Sequence, residues 1–190
     1  MTSMVHLGDV AEILKGQIPA KVSDDSDGPR LFGIAEISGH APRALEPGTS
    51  LERAVYLRTG DVVVALLGER GLGATALIDG RADGTVLARE CAALRVRAPS
   101  LLSTWLYAWT KSEHFKEQIR RHASGGSMSR VSIRDLADFR LPLPPQSHQE
   151  RLEAEIDRLD VALRSTTDLI RNLEDLREAE INLAIAKVLP

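Results

Sequence analysis

With 190 residues, 43% of them hydrophobic, the chain can bury one good core and an appended element. A net charge of −3 excludes nucleic-acid binding by bulk charge, and a lone cysteine, Cys91, excludes an internal disulfide framework. No apolar run approaches the roughly 18 residues that span a bilayer and no basic-then-apolar leader opens the chain, so a cytoplasmic protein without membrane attachment is expected.

The charge is unevenly spread. Residues 146–190 carry six Lys and Arg against ten Asp and Glu, which leaves 18 against 17 for residues 1–145. Any anionic partner therefore has to be held by a local patch. The same boundary separates two kinds of sequence: residues 1–145 mix strand and helix signals, whereas residues 146–190 read as one uninterrupted helix. The expected fold class is α+β, a mixed domain followed by a long coiled-coil helix.

From the N-terminus, Val5-His6-Leu7-Gly8-Asp9-Val10-Ala11-Glu12-Ile13-Leu14-Lys15-Gly16 begins with a strand-like pair and turns into a short amphipathic helix, with Asp9 as its cap and Gly16 as its stop. Gln17 to Arg30 is a polar loop broken by Pro19, Gly28 and Pro29, and Leu31 to Ile37 returns to strand character. A second loop, Ser38 to Glu52, carries His40 and Arg43. The Gly60-Asp61 turn launches Val62-Val63-Val64-Ala65-Leu66-Leu67, apolar and β-branched enough for a buried strand. Ala74 to Ile78 and Cys91 to Val96 follow as further strands, Cys91 reading as a buried strand residue.

Between them, Gly68-Glu69-Arg70-Gly71-Leu72-Gly73 has G-x-x-G-x-G spacing, which is neither the dinucleotide nor the P-loop pattern. A turn between two strands fits it better, with Arg70 presented at the tip. Pro99 to Arg121 then takes a helical period, Leu101, Leu102, Trp105, Leu106, Trp109, Phe115 and Ile119 falling on one apolar face as core. Lys111, Lys116, Arg120, Arg121, Arg130 and Arg134 flank a loop of small residues, Ala123 to Ser129. Such a composition suits phosphate contacts and suits an ordinary surface loop equally well. Ser132 caps a short helix, Ile133 to Asp138, and Phe139-Arg140-Leu141-Pro142 runs extended into the corner Pro144-Pro145.

Beyond that corner Ser147 to Lys187 holds no Pro or Gly, and a helix of this stretch would be about 60 Å long. Leu152, Ile156, Leu159, Leu163, Ile170 and Leu173 step by fours and threes, with Thr166 at the polar seam position and Leu176 after a slip in register. That stripe favours a partner helix over folding back on the preceding domain.

Catalytic signatures are missing. His6, His40, His114, His122 and His148 show no metal-ligand spacing with one another or with Cys91, and neither a G-x-S-x-G elbow nor an Asn-Pro-Pro-aromatic motif occurs. No covalent chemistry, cofactor or metal is expected. A nuclease assembled from Glu36, Asp61 and Lys15 and a coiled-coil adaptor that binds protein alone stay open as alternatives.

Taken in order, Leu7 to Ile13 with Gly16, Leu57 to Val64, Gly125 to Ser132, and Leu141-Pro142-Leu143-Pro144-Pro145 with Gln149 and a long helix resemble the DNA-specificity subunit of Type I restriction-modification systems. The resemblance implies a target-recognition domain, residues 1–145, that reads half of a bipartite double-stranded DNA site. It also implies that residues 146–190 act as spacer, dimerisation element and docking surface for adenine methyltransferase subunits, with a restriction subunit as an optional further partner. Usual members carry two such domains and two helices, whereas this chain has one of each and no internal repeat. It looks like a half-subunit that pairs as a homodimer and reads inverted half-sites. The same domain type also ends single-chain adenine methyltransferases; a start at Met1 directly before the first strand favours a free-standing chain.

On that resemblance the phosphate contacts would come from Lys111, Lys116, Arg120, Arg121, Arg130 and Arg134. Base edges would be read by Lys15, Gln17 and Lys21, by His40 and Arg43, by Arg70, by Arg89, and by Ser127 and Arg130. Leu152, Ile156, Leu159, Leu163, Thr166, Ile170, Leu173 and Leu176 would form the partner seam.

Overall fold

The structure, a computed structural model, describes residues 2–23, 27–68, 71–125 and 129–186, with side chains placed for all of these except 160, 161, 163, 164, 167, 168, 179, 180 and 182–186. Arg70, Ser127 and the Leu163 side chain, three of the expected contact positions, lie outside the described residues.

The elements run β1 (Ser3–His6), α1 (Leu7–Val10), β2 (Ala11–Lys15), β3 (Val22–Ser23), β4 (Leu31–Phe32), α2 (Ile34–Ile37), β5 (Ala44–Leu45), β6 (Val62–Ala65) and β7 (Thr75–Leu77). Then come β8 (Val86–Leu87), β9 (Cys91–Val96), α3 (Ser103–Lys111), α4 (Glu113–His122), α5 (Ile133–Ala137), β10 (Arg140–Leu143) and α6 (Gln146–Ala186). The class is α+β, as the sequence patterning leads one to expect.

The central sheet has the order β2-β9-β6-β7, every pair antiparallel. β6 is buried along its whole length because both faces of the sheet are covered. Val62 and Val64 pack with Leu94, Leu106, Trp109 and Phe115; Val63 and Ala65 pack with Phe32, Leu57, Ile78 and Leu87. A strand alternates its side chains between two faces, so a strand covered on both must be apolar at every position. Each such Val or Leu contributes roughly 1.5–3 kcal/mol on burial.

Three local expectations are corrected. The helix after β1 is a single turn, and Ala11 to Lys15 is a strand, because pairing with β9 in the register Ala11↔Val96 to Lys15↔Ala92 outweighs a weak amphipathic pattern. Asp9 sits inside that turn and His6 takes the cap position. Leu31 to Ile37 is strand only at Leu31–Phe32; Ile34–Ile37 is a helical turn, started where the Glu36 carboxylate accepts the Gly33 N–H at 2.7 Å. The helical stretch around Trp105 to Arg121 is two helices, broken at Ser112, whose hydroxyl accepts the Phe115 N–H and caps α4. The break turns Phe115 inward against Trp109 and Phe139, at ring separations of 5.0 and 5.8 Å.

β10 closes the domain. It pairs with β1, while the Trp105 indole N–H donates to the Pro142 carbonyl at 2.8 Å and Gln118 exchanges two hydrogen bonds with the Arg140 backbone. Gln149, fully buried in the first turns of α6, donates from Nε2 to the carbonyls of Ser100 and Pro144 and accepts the Leu102 N–H.

The chain divides into two units, Met1–Gln149 and Glu150–Pro190. In the second, Leu159, Ile170, Leu173 and Leu176 are each more than half exposed. Leu152 and Ile156 are half-buried, and the Thr166 hydroxyl donates to the Ala162 carbonyl of its own helix. Among the described residues no helix is long and apolar enough to cross a membrane.

Candidate nucleic-acid interface

Gly16 sets the geometry. A Cβ at this position would stand 2.0 Å from the Ala88 carbonyl oxygen, so only glycine lets the chain leave β2 pressed against the 87–88 backbone. The Gly16 N–H donates to the Cys91 carbonyl, Ile18 pairs in parallel with Ala88, and the Arg89 N–H donates to the Ile18 carbonyl. Residues Lys15 to Lys21 are thereby held alongside Arg89 and Glu90.

The opposite wall is built by contacts across some sixty positions of sequence. Leu67 bridges Arg130, the Val131 N–H donates to the Leu66 carbonyl, and the Gly68 N–H donates to the Ser129 carbonyl. Ser124 and Arg130 exchange two backbone hydrogen bonds of 2.9 Å, so Arg130 forms the base of the small-residue loop. Leu66, in turn, donates its N–H to the Glu90 carbonyl and ties the two walls together.

Between these walls lies an open cleft of about 1260 Å³. Lys15, Gln17, Lys21, Arg89 and Arg130, five residues expected to contact DNA, line it together with Glu90 and an apolar floor of Ile34, Leu66, Leu67 and Ile133. A neighbouring groove of about 700 Å³ shares Ser132 and Ile133 with the cleft and adds Arg134, Glu12 and Arg97. Arg97 pairs with Glu12 at 2.9 Å. Lys15, Lys21, Arg89, Arg130 and Arg134 are all exposed, and no side chain among the described residues pairs with any of them.

The cations of α4 are in a different state. Lys116 pairs with Glu113 at 2.7 Å, Arg120 with Glu117 at 2.8 Å, and Arg121 with Glu117 at 3.0 Å. Hydrogen bonds from Lys116 and from Arg120 hold the Glu113 and Glu117 carboxyls below the usual range, and Glu117 raises Arg120 in return. Lys111 donates to the Thr75 carbonyl at 2.6 Å and stands 4.6 Å from the centre of the Tyr107 ring. His40 and Arg43 lie on the loop before β5, outside the residues that line the cleft; a ring nitrogen of His40 lies 2.9 Å from the Ala35 carbonyl.

Asp61, a member of the nuclease alternative, is 2% exposed, and the Arg95 guanidinium donates to both its oxygens at 2.9 and 2.7 Å. The Arg58 N–H donates to the same carboxylate. A bidentate partner in so buried a place leaves Asp61 with a structural task. No group of three His, Cys, Asp or Glu among the described residues is placed to hold a metal. Next to Glu90, Cys91 is buried; desolvation first, then the Glu90 and Glu36 carboxylates, push its thiol up to about 12.

No protein-family model and no curated protein matches the sequence. Solved structures do match the fold. The S subunit of the Type I restriction-modification system from M. genitalium superposes with a TM-score of 0.65 at 16% identity, over 94% of this chain and 44% of that one. The HsdS subunit from Thermoanaerobacter tengcongensis gives 0.62 at 23% identity, over 86% and 38%. A chain from a structural study of complex assembly and conformational transition in the type I R-M system gives 0.63 at 25% identity, over 86% and 39%. The chain has the fold of one half of a Type I specificity subunit.

It spans less than half the length of each of these three chains. Two stretches that carry the sequence resemblance have clear structural work in this S-subunit fold. Leu57 to Val64 places Asp61 to grip Arg95, and Gly60, at φ +91°, makes the turn that allows it. The proline corner with Gln149 fastens the start of α6 to the 100–102 segment. Glu90 and the steric demand at Gly16 were missed by sequence reading, since both depend on which strands become neighbours.

Proposed function

We propose that this chain is the DNA-recognition component of a Type I restriction-modification system and that the cleft between Lys15–Lys21 and Arg130 is its DNA-binding surface. The observation that carries this reading is the set of exposed cations, Lys15, Lys21, Arg89 and Arg130, gathered from three distant parts of the chain and left without a side-chain partner among the described residues inside an S-subunit fold. Lys15, Lys21 and Arg89, expected from the sequence to read base edges, are assigned here with Arg130 to phosphates. Unpaired Lys and Arg release counterions when they meet phosphates, whereas Lys116, Arg120 and Arg121 are paired. The apolar floor of the cleft offers surface for thymine methyl groups.

In this reading residues 1–145 form the recognition domain and residues 146–190 the spacer and docking helix. The exposed stripe Leu159, Ile170, Leu173 and Leu176 supports pairing with the same helix of a second copy. The Thr166 hydroxyl, satisfied within its own helix, adds no unpaired donor to such a seam. An antiparallel homodimer would present two clefts to an inverted bipartite site, with methyltransferase subunits, and where present a restriction subunit, docked on the helices.

The test is a genome-wide map of N6-methyladenine in the source cell with and without the gene. A bipartite inverted-repeat motif, methylated only when the chain is expressed, is the expected result. An identical map in both cells would overturn the proposal.

A further inference from the structure

We infer that Glu90 determines specificity at one position of the DNA site, its carboxylate accepting a hydrogen bond from the exocyclic amino group of a base, cytosine N4 or adenine N6, in the major groove. The inference rests on the DNA-recognition reading above. Glu90 sits between β8 and β9, and its carbonyl is fixed by the Leu66 N–H at 2.8 Å. Its half-buried side chain lines the cleft beside Lys15, Lys21, Arg89 and Arg130, the other charged residues of that lining.

No described residue pairs or hydrogen-bonds with this carboxylate. Oε1 faces Gly33, where a Cβ would stand 3.3 Å away, so the absent side chain leaves it room. Glu36 makes the contrast: its carboxylate lies on the same glycine but is taken by the Gly33 N–H at 2.7 Å. A phosphate repels a carboxylate, so among cations that draw in the DNA backbone Glu90 weakens binding to every sequence alike. That cost selects something only if the carboxylate meets a donor, and the donors a base edge offers in the major groove are amino groups.

The experiment maps N6-methyladenine in cells carrying the complete system with wild-type chain, Glu90→Gln or Glu90→Ala. Wild type is expected to give a half-site with cytosine or adenine at the position read, and the base found there tells the two apart. Both variants should keep the gap and the other positions; discrimination at that one position should fall by roughly 10- to 100-fold in Glu90→Ala and by less in Glu90→Gln, whose amide oxygen still accepts from an amino group. Three outcomes overturn the inference: an unchanged motif with stronger methylation, which makes Glu90 a mere counter-charge; relaxation at several positions together; or loss of all methylation in both variants. A wild-type map without any motif dependent on the chain would instead overturn the DNA-recognition reading itself.

Discussion

The cleft and helix α4 carry similar numbers of cations but hold them in opposite states. On α4, Lys116, Arg120 and Arg121 have carboxylate partners one turn away on the same helix. In the cleft, Lys15, Lys21, Arg89 and Arg130 come from three separate segments, and no described side chain pairs with them. The count of Lys and Arg in a stretch of sequence therefore says less about an anionic partner than the charges that remain uncompensated once the chain is folded.

The largest expected effect follows from removing the cleft set. Replacing Lys15, Lys21, Arg89 and Arg130 by Ala should weaken DNA binding by the assembled complex on the order of a hundred- to a thousandfold at 0.1 M salt, measured by fluorescence anisotropy. Retained affinity would break the contrast between the two surfaces. Next in size is Gly16→Val. Its side chain must displace the Ala88 carbonyl, so the domain should lose about 1–3 kcal/mol in denaturant melts while the cleft walls separate. A variant as stable as wild type would mean that the close approach does not hold the cleft.

Cys91, whose carbonyl accepts the Gly16 N–H, tests the closure of the same wall. The folded thiol keeps its proton up to about 12, whereas the thiol of the unfolded chain ionises near 8.5. Unfolding therefore releases a proton at intermediate pH, and stability should be unaffected below about pH 8 and fall as pH rises from about 9 toward 12. A thiol reagent at pH 8 should label Cys91 no faster than the domain unfolds; rapid labelling would show an open wall. The smallest effect belongs to α4, where Lys116→Ala with Arg120→Ala and Arg121→Ala should change DNA affinity much less than the cleft variant does, since these cations are already spent on Glu113 and Glu117.

What could be read from the sequence divides along physical lines. β6 was legible because burial on both faces forces an apolar residue at every position, and the Ser132 cap because its hydroxyl and the Asp135 carboxylate act three residues apart. The strand at Ala11–Lys15 was not, because it exists through pairing with β9 some eighty positions away. The same holds for the site. Lys15, Gln17, Lys21, Arg89 and Arg130 were recognisable as exposed loop cations or amides, but their convergence depends on Gly16 lying on Ala88 and on Leu67 meeting Arg130. Pairing of Lys116, Arg120 and Arg121 with Glu113 and Glu117 was available from their spacing of three and four, which is the geometry of neighbours on a helix.

The most direct test of the central claim is the salt dependence of DNA binding by the assembled complex, compared between wild type, the cleft variant and the α4 variant. If the four cleft cations each hold a phosphate, the slope of log K against log salt should shrink in magnitude by about 3.6 for each cleft engaged, with little change in the α4 variant. An unaltered slope in the cleft variant, or a loss confined to the α4 variant, would contradict the assignment of the cleft as the DNA-binding surface.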